Sequence, residues 1–478
     1  MSNSPALSLR GAVESVQRHT PLDYLVAGTA LPRDRIAGDF ATRFAGIPAT
    51  SVARPEKVVR YTVPDSPIPV LLGLYGCPDR VRGWFPGLAA RTNVDTVTRL
   101  LEDLRPPRPE RAPACQQEIE TGRIDLHTLP ALYTTPRDAG HYLTMGLVHT
   151  QDPDSGDLTL STHRMLVLGD NRLAIWMVPG RRLRELHEAA LCRGARLPVA
   201  ISIGAPPAAM LASALSTAVL PAGVGKLAVA GALAGAAIGT AAAVTQPLSV
   251  LAESEIVLEG YLDGSVADET LDGPPSVSLP EFLGYDGEAR AALPVLTVTA
   301  LTSRPAPIYQ AVIGPGREQS VILGLAGALS VALSGADRDW QMITDLHYAA
   351  AGGGMLLLVI AVRKDCDAAD GRLGAIAQRV FDQHRFVKLI VFTDPDVDIT
   401  STEDVCWAIT TRCNLGSDCV TLPGYQPLLM DPAQRPEWGQ ARGSHGGTAR
   451  SFIDATIPYR LRASTNRSFP ALVKGAVW

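Results

Sequence analysis

The chain has no CxxC pair, no excess of positive charge, no secretory leader pattern and no leucine-rich span, and each lack removes a class of function. Its seven cysteines (Cys77, Cys115, Cys192, Cys366, Cys406, Cys413 and Cys419) are odd in number and scattered. That argues against a disulfide framework and a structural zinc site, so they read as free thiols. Lysine and arginine total 43 against 48 acidic residues, a net charge of −5, which gives no electrostatic footprint for nucleic acid. The N-terminus, MSNSPALSLRGAVESVQRH, lacks a basic segment followed by an apolar run, so the cytosol is the expected location. Leu227 to Val244, LAVAGALAGAAIGTAAAV, carries no charge over eighteen residues. Alanine, glycine and threonine dominate it, with no aromatic belt or flanking basic cluster, so it is expected to be a buried, closely packed segment rather than a membrane span.

What is present is a globular composition, with 46% hydrophobic and 19% charged residues over 478 positions. That length suggests two to four domains with ample core. The expected partners are small molecules or other protein chains. The most unusual stretch is Leu251 to Gly260, LAESEIVLEG, which reads as a buried strand carrying three carboxylates. Alternation puts Glu253, Glu255, Val257 and Glu259 on one face, with Ser254, Ile256 and Leu258 on the other. Such an acidic row must meet solvent or find cationic partners, and arginine is the expected one.

In chain order, Leu9 to Val16 is helix-like, Val58 to Val63 and Val70 to Tyr75 are strand-like, and Val94 to Leu104 is helical. This alternation suits an α/β domain over 1–110, closed by the proline-rich RPPRPERAP. From 111 to 315 strands dominate, with turns at Asp152–Gly156 and Gly169–Asn171, a helix over Arg181 to Cys192 and a strand over Leu197 to Ile203, as in a β-barrel or sandwich. Over 316–430 the apolar runs Met355 to Val362 and Phe386 to Thr393, separated by a helix at Ala375 to His384, give a βαβ signature. Asp394, Asp396 and Asp398 follow in a loop, before a helix that Ser401 or Thr402 caps. Lacking the glycine and distal glutamate of a calcium loop, they read as a solvated turn. Residues 431–478 read as an extended connection before a short terminal segment.

Several of these stretches, taken together, resemble the UbiD-type decarboxylases, which use prenylated flavin mononucleotide. They are THRMLVLG at Thr162–Gly169, LPVAISIGAPPAAMLA at Leu197–Ala212, AVAGALAG at Ala228–Gly235, SEIVLEG at Ser254–Gly260, LTSRPAPIYQ at Leu301–Gln310 and DPDVDITSTEDVCWAITTR at Asp394–Arg412. The resemblance spans roughly residues 90 to 425 and implies an N-terminal α/β part, a central split β-barrel like that of flavin reductases and a C-terminal α/β domain supporting dimer contacts. It further implies a homodimer or an assembly of dimers, a small carboxylic acid as substrate, and a flavin prenyltransferase as supplier of the cofactor.

By the same resemblance Arg164 would grip the substrate carboxylate through its planar fork of donors, and Glu255 would protonate the carbon that has lost carbon dioxide. That second task asks for a carboxyl group whose pKa is raised. Thr162 and His163 belong to the cofactor-binding stretch, although a regular strand turns His163 away from Arg164 into a structural position.

The departures are specific. The family's second acid, shortly before the EIVLEG glutamate, is replaced by Ser249-Val250-Leu251-Ala252, leaving Glu253 as the candidate substitute. The family holds the flavin phosphate through a divalent metal and potassium, and its ligand positions fall here at Thr159, Arg182 and Lys226. No metal ligand is therefore assigned, and both ions are in doubt. Basic groups there would repel a divalent cation yet pair directly with a phosphate, together with Lys364. The loop DGPPSVSLPEFLGY retains only Asp272 and Gly273 of the family pattern. Two readings stay open: a decarboxylase, or reversible carboxylase, of an aromatic or α,β-unsaturated acid, and a UbiD-like scaffold that has lost its cofactor and serves as a companion subunit or runs different chemistry.

Overall fold

The computed structural model describes residues 4–44, 55–269, 277–278, 283–285, 287–428, 431–443, 448–465 and 467. The chain divides into two compact units, the first made of 1–87, 103–215 and 221–322, the second of 88–102, 216–220 and 323–478.

The first unit is built on a barrel of six strands: β1 (Tyr142–Gln151), β2 (Leu158–Gly169), β3 (Arg172–Ile175), β4 (Leu197–Ile203), β5 (Ile256–Ala267) and β6 (Leu293–Ser303). Their order is β5-β4-β1-β2-β3-β6, and pairing of β5 with β6 closes the cylinder. Closure leaves no free edge within the wall. Each strand alternates, so Ile201, Ile203, Met165, Val167, Ile256 and Leu258 turn into the barrel core, while Ala200, Val257 and Leu166 lie in other clusters on the outer side. The inner cluster continues without a break into Ile36, Phe40, Val59, Tyr61 and Val70. These come from the helix Arg33–Phe44 and from a sheet of Tyr24–Val26, Val58–Val63, Ser66–Leu72 and Tyr309–Gln310. The expected break at 110 is thus bridged by one shared core.

Leu227 to Val244 divides into a helix, Lys226–Ala234, and a strand, Gly239–Ala242, joined by Gly235 at φ 67°. Among the described residues no helix is long and apolar enough to cross a membrane.

LAESEIVLEG is not one strand. Ser249–Leu251 pairs with Gly239–Ala242 in a separate sheet, Ser254 N–H turns back to the Leu251 carbonyl, and β5 begins only at Ile256. Glu253 therefore sits in a turn and does not share a strand face with Glu255. Glu259 does lie on the Val257 face, but its charge is met by the N–H groups of Val244 and Thr245, at 2.8 and 2.6 Å, and not by arginine.

The second unit carries a five-stranded sheet in which Leu357–Val362, Leu389–Thr393 and Arg450–Ala455 run parallel at the centre, flanked by Ile343–Tyr348 and Cys419–Leu422. The helix Leu373–Gln383 links the first two central strands, and Thr402–Arg412 is capped by Ser401, whose hydroxyl accepts from Asp404 N–H. Arg450–Ala455, expected in a terminal extension beyond 430, is an inner strand. Its glycine- and proline-rich flanks hide it in the sequence. Asp394 and Asp396 are both held by Arg412, at 3.1 and 2.6 Å, as an ion-paired turn. The loop with Asp272 and Gly273 lies outside the described residues.

A buried acidic pair sits in the first unit. Glu318 accepts N–H groups from Gly73 and Tyr75 at 2.8 and 2.9 Å, which offset the burial that raises its pKa. Glu56 lacks such donors on its Oε2. Burial, then the nearby Glu318, push it up to about 8, so Glu56 holds the proton. A folded-state pKa above the ordinary 4.5 means the stabilisation is complete below that value and lost as pH rises through about 8. The thermal midpoint of the wild type should therefore fall between about pH 5 and about pH 8, with a loss of up to ~1.4 kcal/mol per unit from Glu56, and Glu56→Gln should make that slope shallower, leaving the part due to Glu318. Identical slopes in thermal melts of the two proteins would refute the assignment.

Candidate active site

The register carries Glu255 across the wall to Arg164. Ile256 pairs with Ile203 on β4, Ser202 with Leu147 on β1, and Gly146 with His163 on β2. Glu255 keeps this register at the entry to β5, donating its N–H to the Ile203 carbonyl while its own carbonyl accepts from Arg304 N–H. Its neighbour Ile256 points into the barrel, as does Met165 beside Arg164. Both functional candidates accordingly face the outer side of the wall, three strands apart, or about 14 Å along the surface at ~4.8 Å per strand.

Each candidate has its own counter-charge. Glu255 is 0% exposed, yet Arg10 forks onto it, Nε to Oε1 at 3.0 Å and Nη2 to Oε2 at 3.0 Å. Arg304 Nε lies 3.5 Å away, and Ile308 N–H donates at 3.1 Å. All the donors converge on a carboxylate; an unpaired charge buried there would cost several kcal/mol. Gly204 makes room for it, because at φ 65° it has no Cβ, and one built there would stand 2.6 Å from Glu255 Cγ. Glu253 pairs with Arg304 as well. Arg10 comes from the amphipathic helix Leu9–His19 and is 37% exposed, so of the two clamps it is the one that solvent reaches.

Arg164 does not contact Glu255. Its Nη2 pairs with Glu269 at 3.1 Å, and Glu269 also accepts the Tyr142 hydroxyl at 3.0 Å and Arg290 N–H at 3.1 Å. His163 lies on the opposite face, held by Ser161 and the Trp176 carbonyl, and burial first, then Arg181, bring its pKa down to about 4. It is a neutral structural ring. Thr162 is exposed, 3.6 Å from Met210 Sδ.

Lys226 opens the helix Lys226–Ala234. Its ammonium donates to two carbonyls, Ser213 at 2.7 Å and Leu160 at 3.3 Å, and among the described residues it has no carboxylate partner. Burial, then the charge of Arg181, lower its pKa to about 8. An ammonium that feels the charge of a nearby guanidinium and has no carboxylate partner among the described residues suits an anion. Arg182 is turned away onto Asp152 and Glu185, while Thr159 donates to the Thr150 carbonyl. This donor set does not fit a divalent metal, and the one group of three acidic or histidine donors close enough to share an ion among the described residues, Asp125, His127 and Asp170, involves none of these positions. It does fit a flavin phosphate. Lys364 belongs to the second unit, buried against Asp370 and the Ile457 carbonyl.

Arg10, Arg181, Arg304 and Glu269 are thus part of the site's surroundings without having been singled out in the sequence. Arg304 lies within the LTSRPAPIYQ stretch; the other three had no motif to mark them.

Comparison with known proteins agrees with this architecture. The model of the 3-octaprenyl-4-hydroxybenzoate carboxy-lyase Rift-related domain of UbiD matches residues 108–318, and that of the C-terminal domain matches 324–455. Gallate decarboxylase of Lactiplantibacillus plantarum is 31% identical over 74% of this chain and 73% of its own. The apo 3,4-dihydroxybenzoic acid decarboxylase of Klebsiella pneumoniae superposes with a TM-score of 0.88 at 28% identity, covering 98% of both chains. An evolved dimeric form of the UbiD-class enzyme HmfF from Pelotomaculum thermopropionicum, in complex with prenylated flavin, gives 0.77 at 26% identity over 98% of both. The shared length, the six-stranded barrel and the matched models lead to one conclusion: this chain belongs to the UbiD family of carboxy-lyases.

Proposed function

We propose that the protein removes carbon dioxide from a hydroxylated aromatic acid, with prenylated flavin bound along the outer wall of the barrel. The observation that carries this reading is the row of Arg164 and Glu255 on that wall, Glu255 fully buried and Arg164 partly so, each fixed by a separate ion pair. Relatives that act on gallate and on 3,4-dihydroxybenzoate favour a phenolic acid over other unsaturated acids. The prenylated flavin, when bound, supplies the electron sink that decarboxylation at an sp² carbon requires.

Arg164 binds the substrate carboxylate, held in place by Glu269 and Tyr142. As the bond between ring carbon and carboxylate breaks, the electron pair stays with the ring carbon. Glu255 delivers the proton that replaces the lost group, taking its own from solvent when Arg10 swings off it. Glu253 stays with Arg304 and keeps that guanidinium directed at Glu255. Lys226, with the charge of Arg181 nearby, would hold the flavin phosphate by charge pairing, a seat that does not call for a divalent metal. A homodimer fits the dimeric relative.

The protein purified after co-expression with a flavin prenyltransferase should carry the prenylated flavin by absorption and mass spectrum, and release carbon dioxide from a panel of hydroxybenzoic acids. Arg164→Ala should lower kcat/KM on the order of 100- to 1,000-fold while retaining the flavin. A protein that binds no flavin, or binds it and decarboxylates nothing, would instead be a companion subunit on the same scaffold.

The phosphate seat gives a separate measurement. FMN titrated by fluorescence quenching should bind equally well with and without chelator, and more weakly as pH rises through about 8, where Lys226 gives up its proton. Lys226→Met should weaken FMN roughly 10- to 100-fold and abolish that pH step. Binding that requires added divalent metal would overturn the seat.

A further inference from the structure

The end of the helix Thr402–Arg412 brings two thiols together. Cys413 is the residue that terminates the helix, Cys419 is the first residue of the strand Cys419–Leu422, and their sulfurs stand 3.9 Å apart. We propose that Cys413 and Cys419 form a reversible dithiol–disulfide pair that is oxidised by thiol–disulfide exchange with a low-molecular-weight disulfide of the glutathione type.

The five residues between them already have the shape that a closed ring needs. Asp418 N–H and Ser417 N–H both donate to the Asn414 carbonyl, at 2.8 and 3.0 Å, and the Asp418 carboxylate accepts Asn414 N–H at 2.7 Å. Asp454 N–H reaches the Asp418 carbonyl at 2.9 Å, fastening the turn to the sheet. None of these bonds involves a sulfur, so the turn is organised independently of the thiols. Bringing the sulfurs to the ~2.05 Å of a disulfide bond takes side-chain rotation rather than backbone refolding.

The two thiols are placed for different steps. Cys419 is exposed and Cys413 half-buried, so an external disulfide meets Cys419 first. Its sulfur attacks one sulfur of the oxidant, releasing one small thiol, and Cys413 then displaces the second. Two protons leave the protein, and the two electrons reduce the oxidant to two thiols. Burial, then the neighbouring Cys419, hold the Cys413 thiol up to about 11, with Asp418 and Asp454 adding to the shift. The resolving step is therefore slow at neutral pH and faster in alkali. Once closed, the bond ties the edge strand of the sheet to the helix whose Arg412 clasps Asp394 and Asp396. Cys406 and Cys192, also exposed, have no second sulfur within reach among the described residues.

The test uses the full-length protein, incubated with glutathione disulfide, alkylated and digested with trypsin. Cleavage after Arg412 leaves Cys413 and Cys419 on one peptide. It should carry no alkyl group and weigh about 2 Da less than its reduced form. Cys413→Ser should instead retain glutathione on Cys419, because the resolving thiol is gone. The inference is overturned if the wild-type peptide stays doubly alkylated while Cys192 or Cys406 is modified. It is overturned equally if non-reducing electrophoresis shows the pair closing between chains, or if Cys413→Ser captures nothing.

Discussion

A carboxylate shut away from water has to be answered by charge, and Glu255 is answered by two guanidiniums. Arg304 arrives from the end of a strand of the same barrel and Arg10 from a helix near the start of the chain. Pulling one acid into this position organises much around it: Gly204 must lack a side chain, Ile308 must offer its N–H, and Glu253 must hold Arg304 in place. The barrel wall contributes the remaining requirement, a register that brings Glu255 and Arg164 to about the same level of the outer surface, across a register shift between Leu143 and Gly146. Strands joined into a closed cylinder cannot slip by one residue without turning every core side chain outward. The same constraint that packs Ile256 and Met165 inside therefore fixes where the two charged groups emerge.

The electrostatics of this wall are divided. Around Arg164 and Glu255 each charge has a partner of opposite sign, whereas Lys226 donates to carbonyls and, among the described residues, has no carboxylate partner. A pair of matched ions suits groups that must change partner during a reaction, and a cationic corner suits an anchor that stays. Of the three positions where the resemblance expects metal ligands, two carry basic side chains, Arg182 and Lys226, and the third the neutral Thr159, while Arg164 and Glu255 stay in place. Within the corner Arg182 is engaged by Asp152, and Lys226 is the ammonium without a carboxylate partner among the described residues.

Local features were legible in the sequence because local physics decides them. Leu197–Ile203 is a strand over the range its apolar run indicated, and Ser401 caps its helix as its position before Glu403 and Asp404 suggests. The motif order from Thr162 to Arg412 carried the family. What was not legible is set by distant partners. Alternation alone predicted one acidic strand through Leu251–Gly260, but a turn at Ala252–Glu253 reassigns its first half to another sheet, and nothing near Glu255 in the sequence points to Arg10, 245 residues away. Arg450–Ala455 was likewise hidden, since an inner strand is recognised by its neighbours rather than by six residues among glycines and prolines.

The central claim is that Glu255 carries the proton that replaces the lost carboxylate, and solvent deuterium tests it directly. Holoenzyme turned over in deuterated water should place one deuterium at the vacated ring carbon. It should also exchange that same position in added product, and Glu255→Gln should lose this exchange while still binding flavin. Exchange at the wild-type rate in Glu255→Gln would contradict the account.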